Sequence, residues 1–243
     1  MGLLIVKKIF NNNVILTVNE DQHEIVVMGN GIAFQKKLGD KINEDLIDKR
    51  FFLDTEENIK KLSDLLNDIS PKYLEIASDI IDYGMKEINT NLSKSIYMSL
   101  TDHLNFTIQR YNKGYEIGNS LIHEIRNLYP SEYKIGLYGV EILYERLKIT
   151  LPEEEAGFIA MHFINAQQDS DMGQTVQSTK IIQGIINILQ LFYKTTLDRE
   201  SINFSRFVTH LRYLSYRIQN QELESPGEDK LFMQVKGKLS NCI

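Results

Sequence analysis

Up to about residue 54 the apolar positions form short β-branched runs: Leu3-Leu4-Ile5-Val6, Val14-Ile15-Leu16-Thr17-Val18 and Glu24-Ile25-Val26-Val27-Met28. Asn11-Asn12, Asn19-Glu20-Asp21 and Gly29-Asn30-Gly31 separate them. Short strands joined by Asn- and Gly-rich turns predict an antiparallel meander. Ile32–Gln35 is expected as a fourth strand and Arg50–Leu53 as a short fifth. Beyond residue 54 the period becomes helical. Asp54-Thr55-Glu56-Glu57 places acids in a first helical turn. Pro71 opens a second helix towards Thr90. Further helices are expected over Ser95–Asn112, Glu116–Leu128, Ser131–Leu147 and Pro152–Gln167. After a linker at Gln168–Gly173 they resume over Gln174–Phe192, Ser201–Gln219 and Glu228–Leu239. The fold class is thus α+β and multidomain, a small antiparallel sheet domain followed by all-α bundles.

The helical part repeats. Asp102-His103-Leu104-Asn105-Phe106 leads to Arg110, and Thr209-His210-Leu211-Arg212-Tyr213 leads to Arg217. Each has Leu at +1, an aromatic at +3 and Arg at +7 from the histidine. An offset of 107 residues predicts two copies of one helical domain. The counterpart of His162 would fall beyond residue 243, so the second copy is expected to be incomplete. The expected domains are 1–55 (sheet), 56–69 (helical linker), 70–169 (first helical domain) and 170–243 (second).

Composition narrows the function classes. The 243 residues carry 27 Lys+Arg against 33 Asp+Glu, a net charge of -6, which argues against coating nucleic acid by bulk charge. The single cysteine, Cys242, excludes a disulfide framework and fits a reducing cytoplasm. No apolar run reaches the length of a membrane span, and Lys7-Lys8 interrupt the first one before any signal-peptide pattern develops. His103, His162 and His210 lack zinc-motif spacing. No hydrolase or phosphate-loop signature is present either. No catalytic residue, metal or cofactor is therefore expected.

A sheet of this size with several Val and Ile per strand and no covering helix has an apolar face to hide, so a homodimer through residues 1–55 is expected. Its charges balance, but Lys7-Lys8 and Lys36-Lys37 flank the Asn and Gly turns. Amides read base edges, glycines admit a phosphate or sugar, and Phe34 can stack on an unpaired base. The plainer alternative is two tight turns, solvated lysines and a core Phe.

These residues carry a resemblance. Asn11-Asn12-Asn13-Val14 followed by Val27-Met28-Gly29-Asn30-Gly31-Ile32-Ala33-Phe34-Gln35-Lys36-Lys37 resembles the co-antiterminator RNA-binding domain of the BglG/LicT transcriptional antiterminators. Ser99-Leu100-Thr101-Asp102-His103 and Leu151-Pro152-Glu153-Glu154-Glu155-Ala156-Gly157-Phe158-Ile159-Ala160-Met161-His162 resemble their phosphotransferase-system (PTS) regulation domains. The overall pattern is nearest the β-glucoside operon members.

The resemblance implies a dimer that binds a leader-RNA hairpin and prevents terminator formation ahead of sugar-utilisation genes. It implies RNA contacts at Lys8, Asn13, Gly29, Asn30, Gly31 and Phe34. The family pattern has Arg where this chain has Asn30, which removes a cationic stacking group and leaves a polar donor. It implies phosphorylation at His103, His162 and His210, with the phosphocarrier HPr and the sugar-specific enzyme IIB as donors. DNA is not an implied partner.

A neutral imidazole nitrogen is a nucleophile at pH 7 and can accept a phosphoryl group. Arg110 and Arg217 are candidate cations to answer the new charge, and Asp102 and Glu155 candidate acids to orient a ring or oppose a phosphate. His23 and His123 are read as structural. Two rival readings remain: a phosphotransfer or sensor protein acting on a protein partner without RNA, and a ligand-sensing helical protein with a dimerisation sheet.

Overall fold

In the computed structural model, residues 4–18, 23–51, 56–115, 117–168, 170–199 and 201–219 are described. Strands β1 (Ile5–Ile9), β2 (Val14–Val18), β3 (Glu24–Met28) and β4 (Lys49–Phe51) form one antiparallel sheet in sequence order. The register sets Ile15 opposite Val27 and Leu16 opposite Val26. Successive side chains point to opposite faces. Ile15, Ile25 and Val27 therefore enter one apolar cluster, and Val14, Leu16 and Val26 enter another. Burial on both faces explains why β2 is apolar at nearly every position.

Four expectations for this region change. First, β1 runs past Lys7 and Lys8. A register irregularity between Val6 and Lys8 carries the strand over them, and Lys7 pairs with Glu24 at the surface. Second, Ile32–Gln35 is not a strand. Residues 30–35 make consecutive turns, with Ile32 N–H donating to Gly29 O (3.2 Å) and Phe34 N–H to Gly31 O (2.9 Å). These turns bury Ile32 and Ala33 against the sheet. Third, the strand expected from Arg50 begins at Lys49 and is the fourth; Phe52 and Leu53 lie outside the described residues.

Fourth, the sheet does not lack a cover. Helix α1 (Glu56–Asp68) lays Ile59, Leu62 and Leu66 over Val14, Leu16, Val26 and Phe51. Their three- and four-residue spacing makes one helical stripe. Leu74, from α2 (Lys72–Ile88), completes that cluster. The opposite face is closed by the chain's own Ile32, Ala33, Ile42 and Ile47. A bare apolar face, the reason expected for a dimer, is not found among the described residues of a single chain.

Helices α2, α3 (Ile96–Asn112), α4 (Ile122–Leu128), α5 (Pro130–Leu147) and α6 (Glu154–Gln168) follow. Their core includes Ile80, Leu100, Leu104, Ile135, Leu143, Ile159 and Phe163. The helix expected over Glu116–Leu128 is shorter. Asn119 Oδ1 accepts the Leu121 N–H (3.0 Å), a side-chain bond that competes with the helical one. Pro130, rather than Ser131, leads α5, where its missing N–H costs nothing. Pro152 lies two residues ahead of α6.

The linker expected at Gln168–Gly173 shrinks, because α7 (Met172–Tyr193) starts within it. Asp171 Oδ1 accepts the Gln174 N–H (2.9 Å) and Gln174 Oε1 accepts the Asp171 N–H (3.0 Å). That reciprocal pair is a capping box. Helix α8 spans Ile202–Gln219. The expected helix Glu228–Leu239 lies outside the described residues. The chain divides into two compact units, 1–179 and 180–243.

Leu62 is fully buried. Leu62→Ala is expected to cost about 3 kcal/mol through lost burial and a residual cavity, read as a lower unfolding midpoint by circular dichroism. An unchanged midpoint would contradict the role of α1 as the cover of the sheet.

Candidate nucleic-acid interface and histidine site

Asparagine chemistry builds one end of the sheet. Asn11 Oδ1 accepts the backbone N–H of Asn13 (2.8 Å) and of Val14 (2.7 Å), an Asx turn that closes the β1–β2 hairpin. Asn13 ties this hairpin to the loop after β3. Its backbone oxygen accepts Gly29 N–H (2.9 Å) and its Oδ1 accepts Gly31 N–H (3.0 Å). Gly29 packs so closely that an added Cβ would sit 1.7 Å from Leu46 O. Gly31 has φ 67°, a left-handed conformation that favours glycine.

The loop presents Asn30, exposed, with its N–H on Asp48 Oδ2 (3.2 Å). Phe34 is 64% exposed, so it is not the core residue of the plainer alternative. Lys8 stands on β1 just before the hairpin, its ammonium 5.4 Å from the centre of the Phe10 ring and hydrogen-bonded to Asn67 of α1. All six residues expected to face RNA thus fall along this hairpin and loop. The outward amides of Asn11 and Asn13 meet Glu75 of α2, Asn11 at 3.1 Å and Asn13 at 3.4 Å.

The second site lies where α3 meets α6. The rings of His103 (α3) and His162 (α6) are 4.9 Å apart between centroids. His103 Nε2 is 3.4 Å from Glu155 Oε2, which also accepts the Thr107 hydroxyl (3.1 Å). Arg110 pairs with the other Glu155 oxygen, and its guanidinium lies 5.2 Å from the Phe106 ring centre. His162 Nδ1 is 3.3 Å from Ser99 Oγ.

Glu155 is only 2% exposed, and a buried charge needs such partners. Its burial alone would raise its pKa. The hydrogen bond and charge of His103, the charge of Arg110 and the Thr107 hydroxyl outweigh burial and hold it below the usual carboxylate value. For His162, desolvation of the ring, aided by the charge of His103, pushes the pKa down to about 3, although part of the residue's surface meets solvent. His162 is therefore neutral at pH 7.

The fold brings together four of the residues singled out in the sequence: His103, His162, Arg110 and Glu155. It leaves Asp102 exposed, with no hydrogen bond or ion pair to either ring. Arg110 is engaged by Glu155 rather than standing ready for a phosphate. Ser99 and Thr107 were missed, though they flank His103 at four residues on either side, the spacing of one helical face. In the unit 180–243, His210 is exposed on α8 and the Arg217 guanidinium lies 5.9 Å from the Tyr213 ring centre. Among the described residues no His, Cys, Asp or Glu group could hold a metal, and no helix is long and apolar enough to cross a membrane.

Known proteins share this organisation. The CAT RNA binding domain matches residues 4–60 and the PRD domain residues 78–166. Over 233 residues the chain is 41% identical to the transcription antiterminator LicT of Bacillus subtilis (strain 168), covering 96% of this chain and 84% of that protein. The chain belongs to the BglG/LicT family of transcription antiterminators. This antiterminator is also 39% identical to the beta-glucoside operon antiterminator of Dickeya chrysanthemi, over 96% of the chain and 82% of that protein. The crystal structure of GlcT CAT-PRDI matches it with TM-score 0.61 and 36% identity, covering 68% of this chain and 99% of that one. In the antiterminator, the six residues expected to face RNA fall within the CAT match, His103 and His162 within the PRD match, and His210 outside both.

A free histidine protonates near 6.5, and His162 at about 3. Between those values the unfolded chain binds a proton that the folded chain refuses. This contribution to stability is complete above 6.5 and is lost progressively as pH falls towards 3. Histidine-resolved NMR titration is expected to find His162 still neutral at pH 5; a midpoint near 6.5 would show that its ring is not desolvated.

Proposed function

We propose that this antiterminator binds, as a dimer, a hairpin in the leader RNA of a sugar-utilisation operon, and that kinship favours β-glucosides as the sugar. The bound hairpin would keep an overlapping terminator from forming. The observation that carries the reading is the Asn13-locked loop, which presents Phe34 and Asn30 to solvent inside a CAT-type domain. In this reading Lys8 meets a phosphate, Asn13 and Asn30 donate to RNA acceptors, Gly29 and Gly31 let the backbone approach, and Phe34 stacks on an unpaired base. The domains run 1–55 for RNA binding, 56–69 as linker, 70–169 as first regulation domain and 170–243 as part of a second.

Control is assigned to phosphorylation of His103, His162 and His210 by HPr and enzyme IIB. An imidazole nitrogen attacks phosphorus, the bond from phosphorus to the donor's histidine or cysteine breaks, and the donor leaves with that electron pair. The antiterminator accepts the group and is not itself an enzyme; it acts in the cytoplasm without cofactor, DNA or membrane insertion. A phosphoryl group brings roughly two negative charges by analogy with other phosphorylated side chains. At His103 it would face the Glu155 carboxylate, and Arg110 would have to divide between them. That conflict supports a rearrangement of α3 against α6 on phosphorylation.

The test titrates the full chain with its operon's leader hairpin and a scrambled-loop control at two salt concentrations. Lys8→Ala is expected to weaken binding to both RNAs and reduce the salt slope by about one. Phe34→Ala is expected to cost about 1–3 kcal/mol, on the hairpin selectively. Equal, weak binding of wild type to both RNAs would remove the RNA reading and leave phosphotransfer to a protein partner.

A further inference from the structure

Two side-chain donors expected to meet RNA, Lys8 and Asn13, are already occupied, and their acceptors lie on helices outside the sheet. Asn11 Nδ2 donates to Glu75 Oε1 at 3.1 Å, and Asn13 Nδ2 lies 3.4 and 3.5 Å from the two carboxylate oxygens. The oxygens of both amides are committed inside the domain, Asn11 Oδ1 to the hairpin turn and Asn13 Oδ1 to Gly31 N–H. Only their N–H groups are left to face outward, and these face Glu75. Beside them the Lys8 ammonium is taken by Asn67 of α1. Further along α2, Lys49 is held by Ser78 (2.7 Å) and Asp82.

A carboxylate presents the same chemistry as a phosphate, two oxygens sharing negative charge. We propose that Glu75 is an internal competitor for RNA, its carboxylate holding the Asn11 and Asn13 amides where an RNA oxygen would otherwise sit. This inference rests on the reading of Asn13 as an RNA contact. RNA reaches those amides only when the Glu75 hydrogen bonds open, so apparent affinity falls with the fraction of time they are open. Closed, the same charge repels incoming phosphates.

Glu75 lies between the CAT and PRD matches, on a helix that packs directly against α3, the bearer of His103. Tyr97 and Met98, at the start of α3, pack against the sheet cluster that also takes in Leu74. The competitor is therefore mounted on the bundle that holds the histidine pair, and a shift of α2 and α3 relative to the sheet would move it off the amides.

The experiment titrates full-length wild type, Glu75→Gln, Glu75→Ala and Glu87→Gln with the leader hairpin and its scrambled-loop control. Glu87→Gln removes the same charge from the same helix, where Glu87 pairs with Lys134 (2.7 Å). Both Glu75 variants are expected to bind the hairpin more tightly, Glu75→Ala by about five- to tenfold, with Glu87→Gln within about twofold of wild type. Glu75→Gln keeps the side chain's size and one acceptor, so it decides the matter if Glu75→Ala unfolds. Hairpin-selective wild-type binding with both Glu75 variants equal or weaker would overturn the competitor. Equal tightening by Glu87→Gln would also overturn it, reducing the effect to net charge. Failure of every protein to distinguish the two RNAs would instead overturn the RNA reading beneath it.

Discussion

A small sheet that is apolar on both faces must have both faces covered. In this antiterminator one face is closed by the loop that follows β3, through Ile32, Ala33 and Ile42. The other is closed by α1 and the first turn of α2, through Ile59, Leu62, Leu66 and Leu74. Each covered residue contributes of order 1.5–3 kcal/mol of transfer free energy, so neither cover is optional for a domain this small. Two consequences follow. The loop that closes the first face is held at its start by Asn13, and this presents Phe34 and Asn30 at the rim. The helices that close the second face bring Asn67 and Glu75 to the same rim. Covering the sheet and shaping the rim proposed to meet RNA are one structural act.

The histidine pair obeys a different constraint, the cost of a buried charge. Glu155 is tolerable on α6 because Arg110, Thr107 and His103 all converge on it from α3. Those three lie at four- and three-residue intervals, one face of one helix. The arrangement is balanced for an unmodified imidazole. Adding a doubly charged group beside Glu155 would leave two anions competing for one guanidinium in a low-dielectric site, where unscreened repulsion is far stronger than at a surface.

Much of this was legible in residues 1–219. The β-branched runs and Asn/Gly turns located the three long strands, and the helical period located most of the bundle. The repeat of His, Leu, aromatic and Arg pointed to His103 with Arg110. Other readings failed for identifiable reasons. Ile32–Gln35 looks like a strand because it is apolar, but Gly31 and the Asn13 side chain hold it as turns. Glu116–Leu128 looks helical because Ile117, Leu121, Ile125 and Leu128 recur at helical spacing, but Asn119 captures the backbone ahead of Leu121. The linker after α6 hid a capping box in Asp171 and Gln174, a signal that was present and local.

By itself the sequence determined what short-range chemistry can determine: where most strands and helices form, which turns need Asn or Gly, and which residues are candidates for nucleophilic and RNA-facing chemistry. Only the tertiary structure decided what covers the sheet, that Arg110 answers Glu155 before any phosphate, that Asp102 stays in solvent, and that Glu75 faces Asn11 and Asn13. Periodicity reports which side of an element is apolar, but not which distant element will meet it. Asn13 and Glu75 are 62 residues apart in the chain and His103 and Glu155 are 52 apart. Such pairs are set by the packing of whole helices, because each must satisfy its buried groups with whatever neighbour the core places there.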